Sequence, residues 1–358
     1  MTIHAFTSFS YSYLNRARVL SKTLRAQHPD WVIWAVLTDK KPEGFVFDLS
    51  EEDFDGVLTA DDLFGDKTDA WLFGHDVVEA CTAVKGRASV RLLKERDCEK
   101  LFYFDPDIAV VNNMDPVIEL LDDFSIVLTP HQADPEPRND KWAIQDNEIA
   151  SLNYGVFNLG FVAMANDEEG KRFAQWWDDR LCDWCHDRLD IGVFVDQKWC
   201  NLVPCFFDNV KVLRDPGFNV ASWNLSQRDM RYDENGAARI NGKLLRFYHF
   251  TKLGPVGDTM TQRYAQDNTE IYELWWWYRQ QVLSKTSPEI PKGWWYYGAF
   301  DNDIKVPKDV RELYRERKDL QDSFADPLKT GIGSLYNWLL AETDLMAEGK
   351  GEKGFTPV

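Results

Sequence analysis

The stretch Leu101–Val111, Leu-Phe-Tyr-Phe-Asp-Pro-Asp-Ile-Ala-Val-Val, constrains the chain more than any other. Apolar and aromatic residues lead into Asp105-Pro106-Asp107, and an apolar run follows. Such runs mark strands buried on both faces, as in a mostly parallel α/β sheet. In open α/β sheets the ligand crevice lies outside the carboxyl ends of the strands. Carboxylates at i and i+2 at such an end suit a hard divalent cation that keeps positions open for phosphate oxygens. Asp-Pro-Asp is also ordinary turn chemistry, so a plain turn is the competing reading.

The rest of the composition narrows the partners. With 358 residues, 44% hydrophobic and 14% aromatic, the chain can bury one large domain with an extension, or two domains. A formal charge of −18 argues against nucleic-acid polymers and anionic membrane surfaces as main partners. A small nucleotide is compatible with that charge, because a metal and a few cations neutralise its phosphates locally. No apolar run is long enough for a transmembrane helix, and the N-terminus shows no signal-peptide pattern. A cytoplasmic protein with six reduced cysteines is therefore expected. Cys182-Asp-Trp-Cys185 with Cys200 and Cys205 is a poor zinc pattern. The second pair is loosely spaced and the first lies in a helical pattern, so buried hydrophobes are the preferred reading.

Taken in order, Ile3–Phe9, Leu14–Gln27 and Trp31–Leu37 read as strand, helix and strand, which points to a parallel sheet. The loop Thr7–Tyr13 then faces the crevice, where Tyr11 or Tyr13 either stacks on a base or simply packs. Residues 70–93 read as one helix carrying Lys85, Arg87 and Arg91, either near a diphosphate or on a solvated face. Residues 134–146 read as a long irregular loop, and 161–164 as a strand behind Gly155-Val-Phe-Asn158-Leu-Gly160. Asn158 offers a donor and an acceptor among apolar neighbours. Asp196-Gln197 is either a helix cap or a site pair. Asn235-Gly236 and Asn241-Gly242 read as hairpin turns. His249 ends a strand beside Lys252 and a glycine-containing loop, which suits a diphosphate cradle. Residues 260–285 read as one helix, and the Trp/Tyr clusters at 275–278 and 294–297 as packing of a C-terminal layer. An acceptor-sugar platform and peripheral membrane contact remain alternatives for those aromatics.

Together these motifs resemble the GT-A glycosyltransferases, especially the retaining branch with glycogenin and the bacterial lipopolysaccharide galactosyltransferases and glucosyltransferases. Four segments carry the resemblance across residues 1–257. They are the N-terminal unit with Tyr11, Arg91-Leu-Leu followed by the DxD strand through Asp107, Tyr154-Gly-Val-Phe-Asn158-Leu-Gly160-Phe, and Asp196-Gln197 with the later His249 and Lys252. The family's terminal loop is His-x-x-Gly-x-x-Lys-Pro-Trp. Here Lys252 comes earlier and Gly254-Pro255 follow, which is a departure from the pattern.

The resemblance implies a GT-A (Rossmann-like) fold, with a mostly parallel central sheet flanked by helices over residues 1–257. To it the sequence adds an aromatic-rich helical extension over 258–346 and a disordered tail over 347–358. By resemblance, Asp105, Asp107 and His249 bind Mn²⁺ or Mg²⁺. Lys252, Lys85 and Arg91 attend the diphosphate, and Thr7, Ser8 and Tyr11 hold the base. Asn158, Asp196 and Gln197 face the donor sugar. The implied activity is metal-dependent hexosyl transfer from a nucleotide diphosphate sugar, of UDP or GDP type, to a saccharide or glycolipid acceptor. Bacterial surface glycans and lipid-linked saccharides, in polysaccharide biosynthesis, are the expected acceptors. Retention is expected; under inversion Asp196 would be the base. Three further classes compete: a sugar-nucleotide hydrolase, a nucleotidyltransferase and a non-catalytic carbohydrate-binding protein. The missing N-terminal glycine-rich loop weighs against the second. The trio Asp105, Asp107 and His249 weighs against the third.

Overall fold

The computed structural model describes residues 2–95 and 97–346. The tail expected over 347–358 lies outside the described residues. At the centre is a seven-stranded sheet. Its strands are β1 (Thr2–Phe9), β2 (Val32–Leu37), β3 (Gly56–Thr59) and β4 (Cys98–Phe104), then, beyond the separate β5 (Ile108–Val110), β6 (Ile126–Pro130), β7 (Phe157–Ala165) and β8 (Val210–Val212). The order is β8-β6-β7-β4-β1-β2-β3. Strand β1 pairs in parallel with β2 and β4, β2 with β3, and β8 with β6. Strand β7 lies antiparallel between β4 and β6, so it alone runs against the others.

Helices cover both faces, as parallel strands require. Helices α1 (Leu14–Gln27), α2 (Val77–Leu92), α3 (Asp115–Asp123) and α4 (Glu168–Trp184) form these layers. Side chains alternate across the pleat. Phe102 and Phe104 join Leu14, Leu20 and Val117 on one face, and Leu101 and Tyr103 join Val84, Ala88 and Trp177 on the other. The mostly parallel α/β architecture expected from the sequence is therefore the one observed.

A second sheet positions the chemistry. Strand β9 (Val220–Ala221) pairs in parallel with β10 (Phe247–His249), and β10 pairs antiparallel with β5. This register sets His249 opposite Ile108, next to Asp107. The Phe250 N–H donates to the Asp107 carbonyl at 2.8 Å, locking the two chain segments together. Between β9 and β10 runs a three-stranded antiparallel meander. Its turns fall at the two expected Asn-Gly pairs, and Asn241 (φ 49°) and Gly242 (φ 82°) take the left-handed geometry of a tight hairpin.

Several expected elements are corrected. Residues 70–93 are not one helix: Thr68–Phe73 ends at Gly74, and α2 starts behind Asp76. Asp76 accepts from the Val78 and Glu79 N–H groups, while Glu79 reaches back to the Asp76 N–H. This capping box competes successfully with helix continuation. Residues 260–285 divide into α5 (Pro255–Ala265) and α6 (Thr269–Ser284). Gln266 at φ 49° breaks the helix, and the Asn268 side chain caps α6 by accepting from the Ile271 N–H. The loop expected over 134–146 becomes helical from Lys141, where Asp140 accepts from the Ala143 N–H. A wide turn over Ile144–Ile149 then leads to a last helical turn over Ala150–Tyr154. Strand β7 begins at Phe157, so it includes Asn158.

The C-terminal aromatics mostly pack. Trp275 donates through Nε1 to Tyr248 Oη at 2.9 Å, and Tyr278 stacks on Phe250 with ring centroids 3.8 Å apart. Farther on, Trp294 donates to the Lys40 carbonyl and Tyr297 to Asp69. Helix α5 crosses the boundary expected at residue 257. Among the described residues, no helix is long and apolar enough to cross a membrane.

Candidate active site

Strand β4 ends at Phe104, and the turn Asp105-Pro106-Asp107 carries the chain into β5 of the second sheet. The two carboxylates therefore stand where one sheet gives way to the other. The Asp105 N–H donates to the Gly160 carbonyl at 2.7 Å, and the Ile108 N–H donates to the Asp105 carbonyl at 3.1 Å. These bonds hold the turn, so the turn reading of Asp-Pro-Asp is correct, and the turn presents both carboxylates on one side.

His249 closes the cluster. Its Nε2 lies 3.0 Å from Asp107 Oδ1 and 3.7 Å from Asp105 Oδ2. One ligand atom from each of Asp105, Asp107 and His249 lies within 4.8 Å of the others. No other such group of histidine, cysteine and acidic side chains occurs among the described residues, so the cysteines form no metal site there.

Behind Asp105 sits Lys85, whose ammonium is 1% exposed as a residue. Its Nζ reaches Asp105 at 3.1 Å, Asp196 at 2.8 Å and the Leu159 carbonyl at 3.0 Å. It also lies over the Tyr103 ring, whose hydroxyl donates to Asp105 at 2.5 Å. Burial opposes its charge, but Asp105 and Asp196 more than offset this and hold the Lys85 pKa well above the ordinary value. Burial pushes Asp196 up to about 6, with Lys85 pulling the other way. Burial likewise opposes ionisation of Asp107, yet His249 and then Arg16 hold its carboxyl below the usual range. His249 is disfavoured as a cation by burial, but Asp107 and Asp105 raise its pKa.

Asn158 reaches this cluster through a β-bulge. Strand β7 slips register against β6 between Leu128 and Pro130. Leu159 and Val162 consequently face the same layer, although strict alternation would separate them. The slip turns Asn158 toward His249, the re-aiming that bulges provide beside functional sites. Asn158 Oδ1 lies 3.2 Å from His249 Nδ1.

Gly160 makes room for that contact. A Cβ there would stand 2.4 Å from His249 Cε1 and 2.8 Å from Asn158 Oδ1. Gly160→Ala is therefore expected to destabilise the protein by about 1–3 kcal/mol through overpacking. A urea melt checks this; an unchanged midpoint would show that His249 is not pinned at this distance.

The other expected site residues divide. Gln197 donates through Nε2 to the Tyr154 carbonyl at 2.9 Å, which orients its amide beside Gly155. Asp196 does not cap a helix: it pairs with Lys85. Ser8 donates to the Cys81 carbonyl and meets the Tyr103 hydroxyl at 3.2 Å, while Thr7 is buried. Tyr11 is buried edge-on against Phe45 and Phe47, in the core. Arg91 is on the outer face of α2, paired with Glu95 at 2.6 Å, and makes no contact with the aspartates. Lys252 is exposed on the loop after β10, at φ 54°, and the cluster does not include it.

Of the other residues at the site, the sequence marked only Tyr13, as the alternative to Tyr11. Tyr13 is partly exposed with Arg16 over its ring at 4.3 Å, and burial together with Asp107 raises its pKa. His131 meets Asn158 from the far side, Nε2 to Nδ2 at 3.3 Å. Trp223 stands edge-on to both His131 and His249. From α6, Tyr278 brings a buried hydroxyl that has no hydrogen-bond partner among the described residues. None carries a motif, but Tyr13 sits in the loop already flagged, and His131 follows the end of β6.

Comparison with solved structures adds a frame. The galactosyltransferase LgtC, in complex with donor and acceptor sugar analogs, matches with a TM-score of 0.43 at 16% identity, over 82% of this chain and 99% of its own. Mouse xyloside xylosyltransferase 1 gives a TM-score of 0.40 at 16% identity, over 71% and 99%. The glycosyltransferase GlyE of Streptococcus pneumoniae TIGR4 gives 0.40 at 13%, over 84% and 67%. Among curated proteins, the uncharacterized proteins YfnF and YfnD of Bacillus subtilis (strain 168) are similar. YfnF is 26% identical over 155 residues, 43% of this chain and 50% of YfnF. YfnD is 28% identical over 127 residues, 35% of this chain and 37% of YfnD. The chain thus spans half or less of the length of these relatives. No family model matches.

Proposed function

We propose that this protein is a glycosyltransferase that moves a sugar from a nucleotide diphosphate sugar to a saccharide or glycolipid acceptor. The observation that carries the reading is the convergence of Asp105, Asp107 and His249 at the end of β4. Two carboxylates and an imidazole suit Mn²⁺ or Mg²⁺, the hard and intermediate cations that hold phosphates. The charge balance agrees: Lys85 is shared by Asp105 and Asp196, which leaves Asp107 and His249 facing each other with negative charge in excess. When bound there, a divalent metal supplies Lewis-acid stabilisation to the departing diphosphate.

The chain's own residues account for the remainder. Lys85 fixes Asp105 and neutralises part of its charge without itself reaching solvent. Asn158 borders the cluster, and Gln197, next to Asp196 in the chain, is a second neutral amide; both side chains are able to bind sugar hydroxyls. Retention is favoured over inversion by one observation. Asp196, the candidate base, is 2% exposed and paired with Lys85, so it is poorly placed to take a proton from an acceptor hydroxyl. We assign the residues up to 257 to the transferase domain and the following helices to a supporting extension, and place the work on bacterial surface or lipid-linked glycans made in the cytoplasm.

A screen of UDP-, GDP- and dTDP-sugars with Mn²⁺ or Mg²⁺ tests the reading. Metal-dependent release or transfer of a sugar is expected, and NMR of the first product's anomeric centre reads retention. No turnover of any donor would count against it. For the base, Tyr13 replaces Tyr11 as the stacking candidate, since only Tyr13 is exposed near the aspartates. Tyr13→Ala is expected to weaken nucleotide diphosphate binding about tenfold or more, the range of base–aromatic stacking, with little change in melting temperature. Tyr11→Ala should instead cost about 3–5 kcal/mol of stability as a core deletion. Calorimetry and melts on both variants separate the roles; equal effects would reject the assignment.

A further inference from the structure

We propose that His131 and Asn158 form a hydrogen-bonded relay that keeps a proton on His249 Nδ1, so that Nε2 is the nitrogen offered to a cation at the Asp105–Asp107 cluster. The relay rests on the metal reading above for its purpose, though not for its geometry.

The chain of contacts starts at a histidine outside every segment that the sequence marks. His131 follows β6, and its backbone N–H is held by the Val156 carbonyl at 2.9 Å. Its Nε2 lies 3.3 Å from Asn158 Nδ2. An amide nitrogen can only donate, so this contact requires an unprotonated Nε2 on His131. Asn158 is thereby left with Oδ1 pointing the other way, at 3.2 Å from His249 Nδ1. An amide oxygen can only accept, so His249 must carry a proton on Nδ1. The nitrogen left for a cation is then Nε2, the atom 3.0 Å from Asp107 and 3.7 Å from Asp105; its contact with Asp107 in the metal-free protein is a hydrogen bond, whose proton a bound cation displaces. Without His131, the Asn158 amide could turn over and offer N–H to His249, and the lone pair would face away from the carboxylates.

The surroundings hold this order. Trp223 packs edge-on against both imidazoles, with ring centroids 5.4 Å from His131 and 5.3 Å from His249. Gly160 lets His249 and Asn158 meet closely, since a Cβ there would strike both. The β7 bulge aims Asn158 into the gap between the two rings. Imidazole ligands generally need such an outer partner, and losing it typically costs about 10–100-fold in metal affinity. His131 touches no ligand atom of the cluster, so it is a positioning residue.

The test uses Mn²⁺ titration followed by the EPR signal of free Mn²⁺, on the full chain. His131→Phe keeps the ring beside Trp223 but removes the acceptor. His131→Gln restores an acceptor oxygen. About 10–100-fold weaker Mn²⁺ binding is expected in His131→Phe, with most of the loss recovered in His131→Gln. Equal affinity of wild type and His131→Phe, or equal loss in both variants, would overturn the relay. ¹⁵N NMR of histidine-labelled, metal-free wild type reads the tautomer directly. A His249 protonated on Nδ1, alone or together with Nε2, supports the relay, and one protonated on Nε2 alone overturns it. Failure of wild type to bind Mn²⁺ would overturn the metal reading alone, because the tautomer is read without metal.

Discussion

Asp107→Ala is expected to lose sugar transfer by about a thousandfold or more. A metal-borne Lewis acid supplies several kcal/mol of transition-state stabilisation, and each 1.36 kcal/mol is about tenfold in rate. Asp107 is the better choice than Asp105 for this test. Asp105 also takes Lys85 and the Tyr103 hydroxyl, so its removal disturbs a buried lysine. Asp107 pairs mainly with His249. Initial rates at saturating metal and donor, with a melt to show that the variant is folded, check the expectation. A folded Asp107→Ala enzyme with wild-type rates would remove the carboxylate from the chemistry.

The largest stability effect is expected from Lys85→Met. The side chain is buried, and it compensates Asp105 and Asp196 together. Removing one partner of a buried ion pair leaves uncompensated charge and costs about 3–5 kcal/mol. For a chain of this size that corresponds to a fall in melting temperature of about 4–7 °C. The same change frees the Leu159 carbonyl and the face of Tyr103. Lys85→Met combined with Asp196→Asn should recover part of the loss, since the two residues are coupled. Chemical denaturation of the single and double variants gives the coupling directly. A Lys85→Met protein as stable as wild type would mean that the two aspartates find other compensation.

Much of this arrangement was legible before any coordinates. The Leu101–Val111 run predicts a buried strand ending in two carboxylates, because continuous apolar patterning and a polar stop are local properties. The βαβ start at Ile3–Leu37 is equally local, and its helix falls on Leu14–Gln27 as the periodicity requires. What was not legible depends on long-range geometry. Helix α2 presents Lys85 inward and Arg91 outward, a difference of rotation that the positive charge of each residue does not reveal. Tyr11 and Tyr13 sit two residues apart in one loop, yet one enters the core and the other faces the aspartates. The bulge in β7 is set by pairing with β6, so the direction of Asn158 could not be read from the Gly-Val-Phe-Asn-Leu-Gly string. His131 stands alone in sequence, and only its approach to Asn158 gives it meaning. Helix breaks at Gly74 and Gln266 were masked by apolar periodicity that continues across them.

The account turns on a divalent cation joining the Asp105–Asp107–His249 cluster to a nucleotide diphosphate. The most direct measurement is the melting temperature of the wild-type protein with UDP, GDP or dTDP, each with and without Mn²⁺. A ligand present at a hundred times its dissociation constant stabilises the folded state by about 2.7 kcal/mol. The account predicts a clear rise for at least one nucleotide with Mn²⁺ present, little rise without the metal, and no metal-dependent rise in Asp107→Ala. Melting temperatures that ignore Mn²⁺ for all three nucleotides would contradict it.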